Sequence, residues 1–271
     1  MQIAYKKYDD PTLLFREVSE EKARSLVNIA TIPKGGTYLL LKILHKMGVE
    51  YKFGSNQSGH LSHMIDEGTA AKKMRDPLRR LIGKSPEKFI VTVRDPRDFF
   101  VSYIDWVDRA IDRQPPKKWY DLTFDQKLLD GIKQKPPGEL ESLTNWPWHI
   151  GNLKYANELM KRNYSNVLIV RFEDIVGYSE GRCSEEQYLS TLRRISEFTG
   201  ANLTEEKIKE IAPDIIGGNG VTYAKQKKIG RWKECFSAKH IKAFDKRYTS
   251  LLLEMGYEKD PKWAKKILKK L

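Results

Sequence analysis

The sequence predicts an α/β protein, a three-layer, doubly wound fold in which a central parallel sheet is flanked by helices. Three observations carry this. A short apolar run followed by a helix-period segment occurs three times along the chain, the mark of repeated βα units. The first of these runs, Leu26 to Thr31, is short and largely apolar, which suits a buried parallel strand better than an amphipathic helix. The length of 271 residues suits one α/β domain with additions, spanning residues 1–271.

Leu26 to Thr31 (LVNIAT) stops at Pro33 and reads as the first buried strand. Thr37 to Met47 (TYLLLKILHKM) is apolar nearly all round and meets Gly48, as expected of a helix packed on a sheet with a glycine stop. Lys88 to Val93 (KFIVTV) is the second strand, and the helix from Arg97 to about Ile111 carries an apolar stripe of Phe100, Tyr103, Ile104 and Val107. Gln114 to Asn145 contains PPKKW and KPPGE, so the region of about 110–150 is expected to be a surface excursion with little packing of its own. Val167 to Phe172 (VLIVRF) is the third strand. Ser184 to Gln187 has capping-box spacing before a helix that runs to Thr199 and stops at Gly200. Ala238 to Met255 reads as a helix, and Asp260-Pro261 opens a last Lys-rich helix over about 260–271, with the proline in its first turn.

Hydrophobic residues make up 40%, aromatics 11% and charged residues 31%, and mean hydropathy is −0.59. These values exclude a disordered or collagen-like chain. Cys183 and Cys235 are too few for a disulfide framework, so a cytoplasmic location is expected. The opening MQIAYKKYDD lacks an apolar leader, and no run approaches the roughly 18 apolar residues of a membrane span. Lys and Arg number 49 against 36 Asp and Glu, a formal charge of +13. Such a field attracts anions, whether nucleic acid, acidic lipid or a phosphorylated small molecule.

In IATIPKGGTY a strand runs into a turn and a helix whose first amides lack internal partners, an arrangement that cradles phosphate. Gly35 and Gly36 let the backbone approach an oxyanion, Thr37 adds a hydroxyl and Lys34 a cation at the helix mouth. A nucleoside-triphosphate loop places lysine after its last glycine, next to Ser or Thr; here the lysine precedes both glycines. The expected fold is accordingly P-loop-like without being a nucleotide kinase. Arg94, at the C-terminal end of the second strand, faces the crevice where α/β ligands bind, and Ser102 on the next helix is placed to meet the same anion. Tyr223 to Lys233 (YAKQKKIGRWK) packs five basic residues and no acidic one into eleven positions.

The order Pro33-Lys34-Gly35-Gly36-Thr37 resembles the PKSGT loop of the cytosolic sulfotransferases, which move a sulfonate from 3′-phosphoadenosine 5′-phosphosulfate (PAPS) to an acceptor, leaving adenosine 3′,5′-bisphosphate (PAP), and need no metal. Arg94 with Ser102, the late basic segment and Arg171-Phe172-Glu173-Asp174 resemble that family's further motifs, and the likeness runs over roughly residues 26–256. It implies that Lys34, Thr37 and the amides of Gly35, Gly36 and Tyr38 hold the 5′-phosphosulfate, and that Arg94 and Ser102 hold the 3′-phosphate. Lys225 stands where the family has an arginine, with Lys227 second and Lys228 beside it; Gly230, Trp232 and Lys233 match, whereas Gln226, Lys227 and Arg231 depart. Phe172 replaces a tyrosine that reaches the adenine pocket. The family's dimer-forming stretch is altered, reading Lys233, Ser237, Ala238 and Lys242, which leaves the oligomeric state open.

Sulfonate transfer needs a deprotonated acceptor oxygen in line with sulfur and cations that absorb the departing charge, which is positioning plus electrostatics. Histidine suits the proton transfer, and the family's base-bearing stretch corresponds here to Gly59-His60-Leu61-Ser62-His63. His60 is the closer match, with His63 and the carboxylates of Asp66 and Glu67 as local alternatives. The catalytic set expected from the likeness is Lys34, His60 and Ser102. The acceptor expected is a hydroxylated small molecule, with a saccharide or protein acceptor as alternatives and no specific nucleic acid. Trp146, Trp148 and His149 are candidate lining for its pocket, while the Lys-rich C-terminal helix reads as a solvated face. The competing class is a basic polyanion-binding protein without transferase activity, supported by net charge but by no nucleic-acid motif.

Overall fold

Strands and helices fall where the apolar pattern changes period. The computed structural model describes residues 2–5, 7, 9, 14–32, 34–53, 86–109, 117–133, 146–176, 178, 183–215 and 229–271. In chain order its first half contains β1 (Gln2–Tyr5), β2 (Leu14–Glu17), α1 (Glu20–Ser25), β3 (Val27–Thr31), α2 (Thr37–Lys46), β4 (Tyr51–Phe53), β5 (Phe89–Val93) and α3 (Pro96–Arg109). There follow α4 (Lys117–Tyr120), α5 (Phe124–Lys133), α6 (Trp146–Arg162), β6 (Val167–Arg171), α7 (Phe172–Ile175), α8 (Glu185–Thr199), α9 (Glu205–Ile215), α10 (Trp232–Cys235), α11 (Ala238–Glu254) and α12 (Trp263–Leu268). The chain forms two compact units, one from Met1–Arg94 and Arg162–Ile229, the other from Asp95–Lys161 and Gly230–Leu271.

The first unit holds the parallel sheet, ordered β4-β3-β5-β6, and a separate antiparallel pair, β1 and β2. Every residue of β3 and β5 is buried, which explains why these strands read as continuous apolar runs. Leu40, Leu41, Ile43 and Leu44 of α2 are fully buried in one cluster with Ile29, Ile90 and the inner faces of α8 and α9. The signals at the ends of α8 act as read: the Ser184 hydroxyl accepts from the Gln187 amide at 3.1 Å, and Gly200 closes the helix at φ 81°. The helix-flanked parallel sheet is the α/β class expected.

The second unit is helical, with an aromatic core. Phe100 on α3 meets Phe244 and Tyr248 of α11, and Trp263 of α12 sets its edge against Phe244 and Trp232. Arg97, 3% exposed, lies between the indoles of Trp232 and Trp263, at 4.0 and 5.0 Å from their centroids, and pairs with both Asp95 and Glu258. Beside it, Asp98 is 1% exposed and accepts from the backbone amides of Gly230 at 2.6 Å and Trp232 at 2.9 Å. The first turn of α3 thereby fixes the start of the C-terminal segment.

The expected excursion is corrected by the structure. Between the two proline pairs, which lie outside the described residues, FDQKLLDGIK forms α5 and buries Leu128 and Ile132, one helical turn apart on one face. Trp119 of α4 is also buried, donating to Asp108 at 2.6 Å. The prolines bound a packed insert instead of dissolving it. The last helix starts at Trp263, with Lys262 as its N-cap, so Pro261 precedes it instead of entering its first turn. Trp263 and Ala264 face inward and the lysines outward. Among the described residues no helix is long and apolar enough to cross a membrane.

Two predictions follow from the second unit. Replacing Asp98 by Ala strands two backbone N–H groups that the carboxylate now satisfies, and urea titration is expected to show a loss of about 3 kcal/mol. His240, fully buried, accepts from the Ser237 amide through Nδ1 and donates from Nε2 to the Asp125 carbonyl, and burial holds its pKa below the usual 6.5. The unfolded chain therefore takes up this proton first, so its contribution to stability is full above about pH 6.5 and falls as pH drops through that value. Denaturation midpoints between pH 8 and 5 are expected to fall less steeply for His240→Gln than for the wild type.

Candidate anion-binding site

The site grows from the C-terminal ends of three neighbouring strands of the first unit. After β3 the chain turns at once, the Gly35 amide donating to the Ile32 carbonyl at 3.0 Å. Lys34 adopts a left-handed backbone at φ 60° and Gly36 another at φ 95°. Glycine is obligatory at both following positions for different reasons. A Cβ on Gly35 would stand 2.5 Å from Ile32 Cγ1 and 3.0 Å from the Ile32 carbonyl oxygen, and one on Gly36 would stand 2.7 Å from Phe172 Cδ2. Gly36 is the N-cap of α2, with no side chain to cap it and no acidic residue in the first turn. Among the described residues no side chain caps that helix, and its positive dipole end is of the kind that favours negative charge.

Arg94 leaves β5 toward this loop. It is 9% exposed; its Nη1 donates to the Lys34 carbonyl at 3.1 Å, and its Cζ lies 4.4 Å from the Phe172 ring centroid. The register that pairs Val93 with Arg171 explains the placement, since it brings the next residues, Arg94 and Phe172, level just past the ends of adjacent strands. Arg94 Nε is buried without a hydrogen-bond partner, and so is Thr92 Oγ1. Two residues apart on one strand, these groups share a face of the sheet, and Thr92 Oγ1 lies 3.2 Å from where a Gly35 side chain would begin. Thr31, paired with Thr92 across the strands, shares a 2.6 Å hydrogen bond with the Thr37 hydroxyl.

Of the residues predicted from sequence, the structure brings together Lys34, Gly35, Gly36, Thr37, Arg94 and Phe172, with Tyr38 on the first turn of α2. Ser102 is half-buried on α3, in the second unit. His60, Lys225, Lys227 and Lys228 lie outside the described residues, as do His63, Asp66 and Glu67. The α6 backbone carries Trp146, Trp148 and His149, whose side chains are likewise outside them. The Phe172 ring, expected near an adenine, lies against Arg94 and Gly36. Thr31 and Thr92 went unnoticed in the sequence; hydroxyls at the last two ladder partners of otherwise apolar buried strands were the available signal.

With the geometry in view, comparison with known proteins places the chain. The family model described as "Sulfotransferase domain" matches residues 25–256, and the chain belongs to that family. Among curated proteins, mouse Sulfotransferase 6B1 is 24% identical over 189 residues, covering 65% of this chain and 54% of the relative; the chain spans about half the length of that relative. The crystal structure of mouse sulfotransferase SULT7A1 complexed with PAP shares the fold at TM-score 0.54 and 14% identity, over 92% of this chain and 90% of that one. A structure of retinol dehydratase in complex with androsterone and inactive cofactor PAP aligns at TM-score 0.48 and 15% identity, over 84% of this chain and 81% of that one.

Gly48 supplies a control for the glycine argument, because it too is left-handed, at φ 70°, but a Cβ there meets nothing within 4 Å. Gly48→Ala is expected to cost about 1–2 kcal/mol of backbone strain alone. Gly36→Ala is expected to cost about 1–3 kcal/mol more, from overpacking against Phe172. Paired urea titrations measure the difference.

Proposed function

We propose that this chain is a PAPS-dependent sulfotransferase, transferring a sulfonate to a hydroxyl or amine of an acceptor by in-line displacement without a metal. The observation that carries the reading is the meeting, among the described residues, of a helix N-terminus without a side-chain cap and a buried arginine that no carboxylate neutralises. Family membership gives the reaction class. The residues fit a ligand with two anionic ends: a Cβ at Gly35 or Gly36 would disrupt the cradle, and Arg94 Nε and Thr92 Oγ1 are buried polar atoms still lacking partners.

Bound PAPS supplies an activated sulfonate on a phosphosulfate anhydride. Lys34, Thr37 and the amides of Gly35, Gly36 and Tyr38 bind its 5′ end. Lys34 also holds positive charge where the leaving oxygen becomes anionic, the kind of stabilisation that mutagenesis elsewhere puts at about 2.7–4 kcal/mol. Arg94 and Ser102 bind the 3′-phosphate, joined by Lys225, Lys227 and Lys228, and Phe172 lends an aromatic wall to the nucleotide. His60 accepts the proton of the acceptor hydroxyl, histidine being suited to that exchange near neutral pH.

Residues 1–271 are read as a single sulfotransferase-like domain. The acceptor is a hydroxylated small molecule, and the setting is cytoplasmic, in keeping with two free cysteines. The +13 charge, which alone favours a polyanion-binding protein, serves here to draw in anionic nucleotide.

Calorimetric titration with PAP in the absence of metal tests the reading. The wild type is expected to bind at micromolar concentration, and Lys34→Ala and Arg94→Ala each to weaken binding by roughly ten- to a hundredfold, the worth of a charge-assisted hydrogen bond. A folded wild type that does not bind PAP, but binds oligonucleotides with steep salt dependence, returns the chain to the polyanion class.

A further inference from the structure

We propose that Phe172 is a positioning residue for anion recognition, holding Arg94 so that its free N–H groups face the ligand; the inference rests on the donor reading above and deepens it. Arg94 and Arg97, three residues apart, are both buried yet are held in opposite ways. Arg97 is satisfied by two carboxylates, those of Asp95 and Glu258. Arg94 is held by a ring face at 4.4 Å and a backbone carbonyl at 3.1 Å, contacts that orient a guanidinium without neutralising it. A flat aromatic face suits the planar guanidinium and leaves its in-plane N–H groups for hydrogen bonding; Nε is one such group, buried and unpartnered.

The same ring touches the other half of the site. Phe172 Cδ2 lies 2.7 Å from the position a Gly36 Cβ would take, so ring and loop are in direct contact. Gly36 follows Lys34 in the loop, Lys34 accepts from Arg94, and Arg94 lies on Phe172. These contacts close a circuit through which one side chain sets the spacing between the helix mouth and the arginine. A ligand with two anionic groups at fixed separation, such as a nucleoside 3′,5′-bisphosphate, is what that spacing selects.

The test is the ratio of affinities for PAP and adenosine 5′-phosphate, which isolates the 3′-phosphate. Phe172→Leu and Phe172→Met are expected to lower this ratio by roughly five- to thirtyfold, the range of a desolvated cation–π contact, and Phe172→Tyr to retain it. In an Arg94→Ala background, Phe172→Leu is expected to leave the ratio unchanged, because the group it positions is gone. Equal weakening of both ligands would assign the ring to the base alone and overturn the proposal, as would a ratio unaffected in folded variants. Failure of the wild type to bind either nucleotide would instead remove the donor reading and this inference with it.

Discussion

A buried guanidinium without a carboxylate is costly to keep in a fold, and among the described residues Arg94 of the first unit is such a group. Arg94 bonds the carbonyl of Lys34, and Lys34 is the non-glycine residue in the turn whose backbone is left-handed. The strain of the loop and the desolvation of the arginine are thus met in one contact. Everything nearby follows from it. Two glycines are needed because the turn runs so close to Ile32 and Phe172, and the parallel register places Arg94 and Phe172 side by side. Among the described residues a site assembled this way is left without a neutralising carboxylate, and the proposed anionic ligand would supply that negative charge.

The second unit shows what the same sequence neighbourhood does without that purpose. From Asp95 to Asp98 the charges are consumed locally: Arg97 is enclosed by two carboxylates and two indoles, and Asp98 is spent on two backbone amides. Burial is similar to that of Arg94, and the difference lies in the partners. A buried charge whose hydrogen bonds are complete is structural; one left with open donors is available for binding.

Much of this was legible in the chain. The strands β3, β5 and β6, the helices after the first two, and the glycine stops at Gly48 and Gly200 follow from apolar runs and capping residues, which act locally. That Lys34, Gly35, Gly36, Thr37 and Arg94 lie together was legible because strand ends and helix starts place such residues predictably. Other features depended on distant partners. β1 and β2 are four residues each, too short to show a period, and the PP pairs on either side of α5 obscured a helix whose burial comes from α3 and α11. Nothing in the sequence singled out Asp98, because its partners, Gly230 and Trp232, are 132 and 134 residues away. The contact between Phe172 and Arg94 was hidden for the same reason: a sequence shows that an aromatic follows a strand, and only the register shows which arginine it meets.

The order of lysine and glycine in the loop gains a physical meaning from this arrangement. With lysine ahead of both glycines, its backbone carbonyl falls in the left-handed turn where Arg94 can reach it, while its side chain departs from the residue that precedes the helix mouth. One residue thereby serves two ends, the main chain anchoring the arginine and the side chain supplying a cation. A lysine placed after the glycines would sit within the first turn of α2, where its carbonyl is drawn into the helical ladder. The link between the loop and Arg94 is therefore written into the loop order itself, and Phe172, just past the end of the neighbouring strand, touches both.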